Sequence, residues 1–253
     1  MKVRGITLWS CGIVCVASVT LGETSDARTL VMQVLEARPR TSFIAQATLR
    51  SESRGWTREL TLRYKRLGDV DASYLEVTDP FDVKDTRFLL LDRERGTDEQ
   101  YIYVPAMGRT LQVSESSRKQ PFLGSDFYVS DMVRPDPDAY SYTLSGNEEI
   151  GGHVCKLVEA TPKVPEKELY GKTVFAIDPQ ERVLMRTQFF DAHGKLLKVW
   201  TVDRLEKVDG VLTPRKQTMK NVQEGTESTL EINEIEYNAD IPDDLFQRSQ
   251  LGR

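Results

Sequence analysis

The side chains able to carry chemistry are few and scattered. The sequence holds 2 histidines and 3 cysteines. His193 falls in Asp191-Ala192-His193-Gly194-Lys195, a run that reads as a hairpin turn, where exposure is the ordinary state. His153 follows Gly151-Gly152 at the start of a strand-like run and reads as structural. Cys11 and Cys15 lie inside an apolar N-terminal stretch, which leaves Cys155 apart from them. Two separated histidines and one cysteine cannot assemble a zinc site from nitrogen and sulfur donors. Carboxylates alone could still hold a hard cation such as calcium, although Asp136 and Asp138 around Pro137 read better as a turn. Gly124-Ser125-Asp126 invites comparison with a serine nucleophile. The stretch Phe122-Leu123-Gly124-Ser125-Asp126 lacks the flanking glycines of a nucleophile elbow, and it does not join a parallel strand to a long helix. A serine nucleophile also needs a base within hydrogen-bonding reach, usually histidine. Neither a Gly-X-Gly-X-X-Gly loop nor a lysine-containing phosphate loop is present. Paired carboxylates among 39 acidic residues are too common to inform. The expectation is a protein that is not an enzyme and uses neither metal nor cofactor.

The ends and the charge say where such a protein would work. Lys2 and Arg4 precede an uncharged run from Ile6 to Leu21. This is the layout of an export signal, and the run is short for a membrane span. Gly22 offers a small residue for cleavage, and Ala27 a later one, so the expected division is a signal over 1–22 and one domain over 23–253, with an uncleaved N-terminal anchor as the alternative. Removing that signal leaves Cys155 without an internal disulfide partner, so the core alone must hold the fold. The formal charge is −5, and it becomes more negative if Lys2 and Arg4 are cut away. That balance speaks against nucleic acid as a partner.

Periodicity supplies the elements that would position any site. Ala27, Leu30, Val31, Val34 and Leu35 make one apolar stripe at helical spacing. Ser25 stands where it could cap the helix, Asp26 in its first turn, and Pro39 where it must stop. From Ser42 the period changes to two. Phe43, Ala45, Ala47 and Leu49 alternate with polar or opposite-facing neighbours, as do Leu60, Leu62 and Tyr64. Further strand-like runs cover Ser73–Val77, Arg87–Leu91, Gln100–Pro105, Ser141–Ser145, His153–Ala160, Thr173–Ile177, Val183–Phe190, Leu196–Leu205, Thr213–Lys220 and Thr229–Tyr237. A phase change between Ile232 and Ile235 predicts a bulge. Tight-turn signals such as Asp209-Gly210 predict pairing of sequential strands. The fold class is therefore α+β and mostly β: a strongly curved antiparallel sheet of about 10–12 strands. Residues 114–138 break the rhythm yet carry Phe122, Leu123, Phe127, Tyr128, Met132 and Val133. A solvated loop would not hold so many large apolar groups. The segment is expected to fold back over the sheet as short helical turns.

Two stretches resemble a known family. Tyr101-Ile102-Tyr103-Val104-Pro105-Ala106 with Arg109, and Phe122-Leu123-Gly124-Ser125-Asp126-Phe127 with Asp131-Met132, look like the two signature segments of the LolA-like outer-membrane lipoprotein-sorting family. The turn at 191–195 and the ending Ile241-Pro242-Asp243-Asp244-Leu245-Phe246 are also similar. The resemblance implies an incomplete barrel wrapped around an N-terminal helix and a short helical insert on its concave face, with a hydrophobic cavity between. Its expected guest is a lipid or the acyl chains of a lipoprotein. Expected partners are an inner-membrane transporter, of the resistance-nodulation-division type, an outer-membrane acceptor, or both, in the periplasm and with the carrier monomeric. Related folds include mycobacterial lipid-transfer lipoproteins and the stress sensor RseB, so a module that binds a membrane protein is the alternative.

The inward, lipid-facing positions expected from alternation are Leu60, Leu62, Phe88, Leu90, Tyr101 and Tyr103. The lid positions expected from the motif are Phe122, Leu123, Gly124, Ser125, Asp126, Phe127, Asp131 and Met132.

Overall fold

The computed structural model describes residues 21–253 apart from 38–39, 95–96, 115–116 and 118. The signal over 1–22 thus lies almost entirely outside the described residues, as does the helix stop at Pro39. The first element is a helix, α1 (Leu21–Ala37). It begins before Ser25, so Ser25 is an interior residue and not the cap. The apolar stripe is used as its spacing suggests: Ala27 and Val31 are buried, and Leu30, Val34 and Leu35 pack beside them against Tyr142, Val158, Ala160 and Ile177.

Thirteen strands follow: β1 (Phe43–Ser51), β2 (Trp56–Leu67), β3 (Val70–Asp79), β4 (Arg87–Arg93), β5 (Glu99–Val104), β6 (Arg109–Gln112), β7 (Tyr140–Ile150), β8 (His153–Pro162), β9 (Lys172–Asp178), β10 (Val183–Phe190), β11 (Leu196–Val208), β12 (Val211–Asn221) and β13 (Thr226–Tyr237). They form one sheet in the order β6-β5-β4-β3-β2-β1-β13-β12-β11-β10-β9-β8-β7. Each half is a meander of antiparallel neighbours, and β1 pairs with β13 to join them. The ends, β6 and β7, are not paired to each other, so the barrel is incomplete.

Twelve of these strands correspond to alternating runs in the sequence. The thirteenth, β6, is four residues long and mostly exposed, too short to show a period. The bulge falls where the phase changed: Gln46 pairs with Glu234 and Ala47 with Ile232, which leaves Asn233 as the extra residue. Asp209 and Gly210, both at positive φ, form the two-residue turn that opposes Val208 and Val211.

The described residues between Gln112 and Tyr140 lead from one sheet edge toward the other across the inner face. They form short 3-10 turns at Phe122–Gly124, Val129–Met132 and Pro137–Ala139. Phe122 and Phe127 sit in the central cluster with Ala47, Leu49, Leu60, Val77 and Met219. The opposite, outer face of β3–β5 is also covered. Ala72, Tyr74, Leu89 and Tyr101 pack there under the C-terminal residues Ala239, Ile241, Phe246 and Leu251.

Candidate functional site

Cross-strand register decides which side chains share the inner face, because directly opposed residues point the same way. Ala45 opposes Leu62 and Ala47 opposes Leu60. Leu62 opposes Leu75, Leu75 opposes Phe88, and Ser73 opposes Leu90. On β5 this series continues through Ile102 opposite Phe88 and Gln100 opposite Leu90. A cavity of about 160 Å³ opens here between the sheet and the crossing segment, lined by Leu62, Leu75, Phe88, Leu90, Gln100 and, from the segment, Phe122, Val129 and Met132, among others. Met132 is 37% exposed and stands at the opening.

Of the six positions read as inward, Leu62, Phe88 and Leu90 line this cavity. Leu60 is buried beside it in the cluster with Phe122 and Phe127. Tyr101 and Tyr103 require a correction. Tyr101 borders the cavity, but its ring belongs to the outer cluster with Leu89, beneath Arg248, and its hydroxyl donates to Glu99 Oε2 at 2.7 Å. Tyr103 packs against the same outer cluster. The inward phase on β5 is one residue off the tyrosines, at Gln100 and Ile102; both faces are buried there, and apolarity alone favours the tyrosines over Gln100.

The motif residues are fastened down. Leu123 (φ 52°) and Gly124 (φ 72°) occupy the left-handed region in succession, which glycine tolerates at Gly124 without strain. Ser125 is buried; its hydroxyl donates to the Phe122 carbonyl at 2.6 Å and accepts from the Phe127 N–H at 3.3 Å. These bonds hold the turn together. The Asp126 side chain is 0% exposed. It accepts from Thr226 Oγ1 at 2.5 Å, Ser228 Oγ at 2.6 Å and Arg54 Nη1 at 3.2 Å, tying the segment to β13 and to the turn after β1. Asp131 accepts from the Tyr128 N–H at 2.7 Å, the Tyr170 hydroxyl at 2.6 Å and Lys198 Nζ at 2.7 Å.

Lys198, 0% exposed, was not singled out in the sequence, where it reads as an ordinary strand lysine. Its ammonium lies 3.4 Å from the Tyr128 ring centroid and 3.3 Å from the Asp126 carbonyl oxygen. Burial lowers its pKa, and Asp131 opposes that shift.

A polar group closes one end of the inner face. Asp71 accepts from the Tyr64 hydroxyl at 2.6 Å and from Arg66 at 2.9 Å, and it also pairs with Arg134 of the crossing segment. Burial works against the Asp71 carboxylate, but these three partners hold its pKa below the usual value. Asp92, opposite Asp71 on β4, is pushed up by burial, with Arg134 opposing. His153 Nδ1 pairs with Asp178 at 2.7 Å, and Cys155 is a buried free thiol raised by burial. Among the described residues, no group of three or more His, Cys, Asp or Glu is placed to hold a metal ion. No helix there is long and apolar enough to cross a membrane.

Solved structures share this architecture. A domain from Vibrio parahaemolyticus assigned to outer-membrane lipoprotein sorting is 22% identical with a TM-score of 0.83, covering 91% of this chain and 100% of its own. A DUF1329 family protein from Desulfovibrio piger is 23% identical with a TM-score of 0.84, covering 90% and 99%. A LolA superfamily protein from Nitrosomonas europaea is 19% identical with a TM-score of 0.65, covering 87% and 97%. No curated protein sequence matches the chain. A family model described as that of an uncharacterized protein matches residues 69–253, so the chain belongs to that family, and its fold is that of the LolA-like lipoprotein-sorting proteins.

Proposed function

We propose that this protein is a periplasmic carrier that takes a lipid, or the acyl chains of a lipoprotein, into the cavity between the inner face and the crossing segment. The observation that carries this reading is the cavity itself, apolar along Leu62, Leu75, Phe88 and Leu90 and opening beside Met132. At about 160 Å³ it is close to the size of engineered apolar cavities that stay dry and admit a benzene-sized guest. It therefore holds part of a chain, and rotation of the unbranched Met132 side chain would lengthen it. The LolA-type relatives lend the substrate class. Ala27 is fully buried under α1's contacts, which favours signal cleavage near Gly22 over the later site.

Burying a methylene gains roughly 0.8 kcal/mol, or on the order of 12 kcal/mol for a sixteen-carbon chain. A bilayer offers a similar gain. Such a carrier cannot extract its guest by affinity alone and needs a donor at the inner membrane and an acceptor at the outer one. Ser125, its hydroxyl committed to the Phe122 carbonyl and the Phe127 N–H, has no part in hydrolysis in this reading.

The test is native mass spectrometry of gently extracted protein together with titration by a fluorescent acyl probe. Wild type should carry or take up acyl chains. Leu90→Glu, which puts a carboxylate into the cavity, should lower probe affinity at least about tenfold while circular dichroism stays unchanged. A wild-type protein that is always empty and refuses acyl probes would end the proposal.

A further inference from the structure

Gln100 stands out among the cavity-lining residues. It is 8% exposed, and among the described residues neither its side-chain oxygen nor its side-chain nitrogen has a hydrogen-bond partner. Register puts it on the inner face beside Leu90, and its side chain borders the cavity. Its backbone carbonyl accepts from the Val113 N–H at 2.9 Å. A buried amide without partners is costly, because burial strips its water and returns nothing. Sites with this defect are commonly completed by a ligand or a water. Leu62, Leu75, Phe88 and Leu90 make the wall beside it apolar; Ser73, opposite Leu90, and Tyr64, whose hydroxyl donates to Asp71, also line the cavity, and neither bonds the Gln100 amide.

We propose that Gln100 is the polar recognition residue of the cavity. The guest would be an acyl chain whose head presents an acceptor and a donor on one edge, as a carboxamide or an un-ionised carboxyl does. Such a head pairs with both Gln100 atoms at once: its carbonyl accepts from Nε2, and its N–H or O–H donates to Oε1. An ester satisfies Nε2 alone and leaves Oε1 buried and unpaired. This rests on the carriage reading above and narrows it, from any acyl chain to one with that head.

The experiment measures displacement of a fluorescent acyl probe by dodecanamide, dodecanoic acid and methyl dodecanoate, in wild type, Gln100→Leu and Gln100→Met. In wild type, dodecanamide should bind about tenfold tighter than the methyl ester. The same preference for dodecanoic acid would identify a free fatty acid as the source of the head group, and preference for the amide alone an amide head. In both variants the ratio should fall to about one, because neither head then has a hydrogen-bond partner at that position. Two variants guard against one that fails to fold. Equal binding of amide and ester by wild type would overturn the assignment of Gln100 while leaving carriage intact. So would a preference that persists in both variants. Failure of wild type to bind any of the three would remove carriage and this inference together.

Discussion

Asp126 and Lys198 show how single side chains fix the crossing segment. Asp126 receives three side-chain donors, two from β13 and one from the turn after β1, and Lys198 reaches the segment from β11 through Asp131 and the Asp126 carbonyl. Both are fully buried, so neither charge has water to fall back on if its partner is lost. Lys198→Met should therefore destabilise the protein by about 3–5 kcal/mol, because Asp131 would stay buried without its cation. Urea denaturation reads this directly. Adding Asp131→Leu should recover only part of the loss, since Tyr128 N–H and Tyr170 hydroxyl would then lose their acceptor. The motif Phe122 to Phe127 was visible in the sequence as an unusual apolar stretch, but its partners were not. Nothing about Thr226, Ser228 or Lys198 in a strand pattern announces that a distant carboxylate will find them.

At the scale of elements, the two faces of β1–β5 do different work. The inner face meets the crossing segment and leaves a cavity, whereas the outer face of β3–β5 is covered by residues 239–251. Ile241→Ala should cost about 2–5 kcal/mol in stability yet leave acyl-probe affinity of the folded protein unchanged, as urea melts and titrations at low denaturant would show. The same division explains what the sequence could and could not tell. Alternation located twelve strands, and the helix stripe at Ala27, Val31 and Val34 was plain, because period and element type go together. Alternation assigns a face only when one side is wet. On β4 the choice of Phe88 and Leu90 fell on the inner side. On β5 the tyrosines are the more apolar set, although Gln100 and Ile102 are the inward pair. A tail that buries the second face lies far along the chain, beyond any local pattern. Short β6 escaped for the simpler reason that four edge residues carry no period.

Taken as a whole, the molecule depends on carboxylates that hold their charge in partly buried networks. Burial alone would raise Asp71 and Asp178, but Tyr64, Arg66 and Arg134 for the first, and His153 with the Gln180 and Glu181 N–H groups for the second, hold both below the usual value. Such groups contribute stability that is complete above the unfolded carboxylate pKa, about 3.9, and is lost as pH falls through their lower folded values. Thermal melts should therefore fall steeply below about pH 4, and Asp71→Asn should flatten that slope while lowering stability at neutral pH. The order of the sheet bears on how the chain finds this structure. Each half can grow outward from its own hairpins, but β1 must locate β13 across nearly the whole sequence. Only that one pairing demands closure of so large a loop, and distant pairings are what slow β proteins. After dilution from urea, strand signal should return before the two fans lock together. The late step should be delayed by weakening the Ala45–Ile235 contact and indifferent to changes in the Asp209-Gly210 turn.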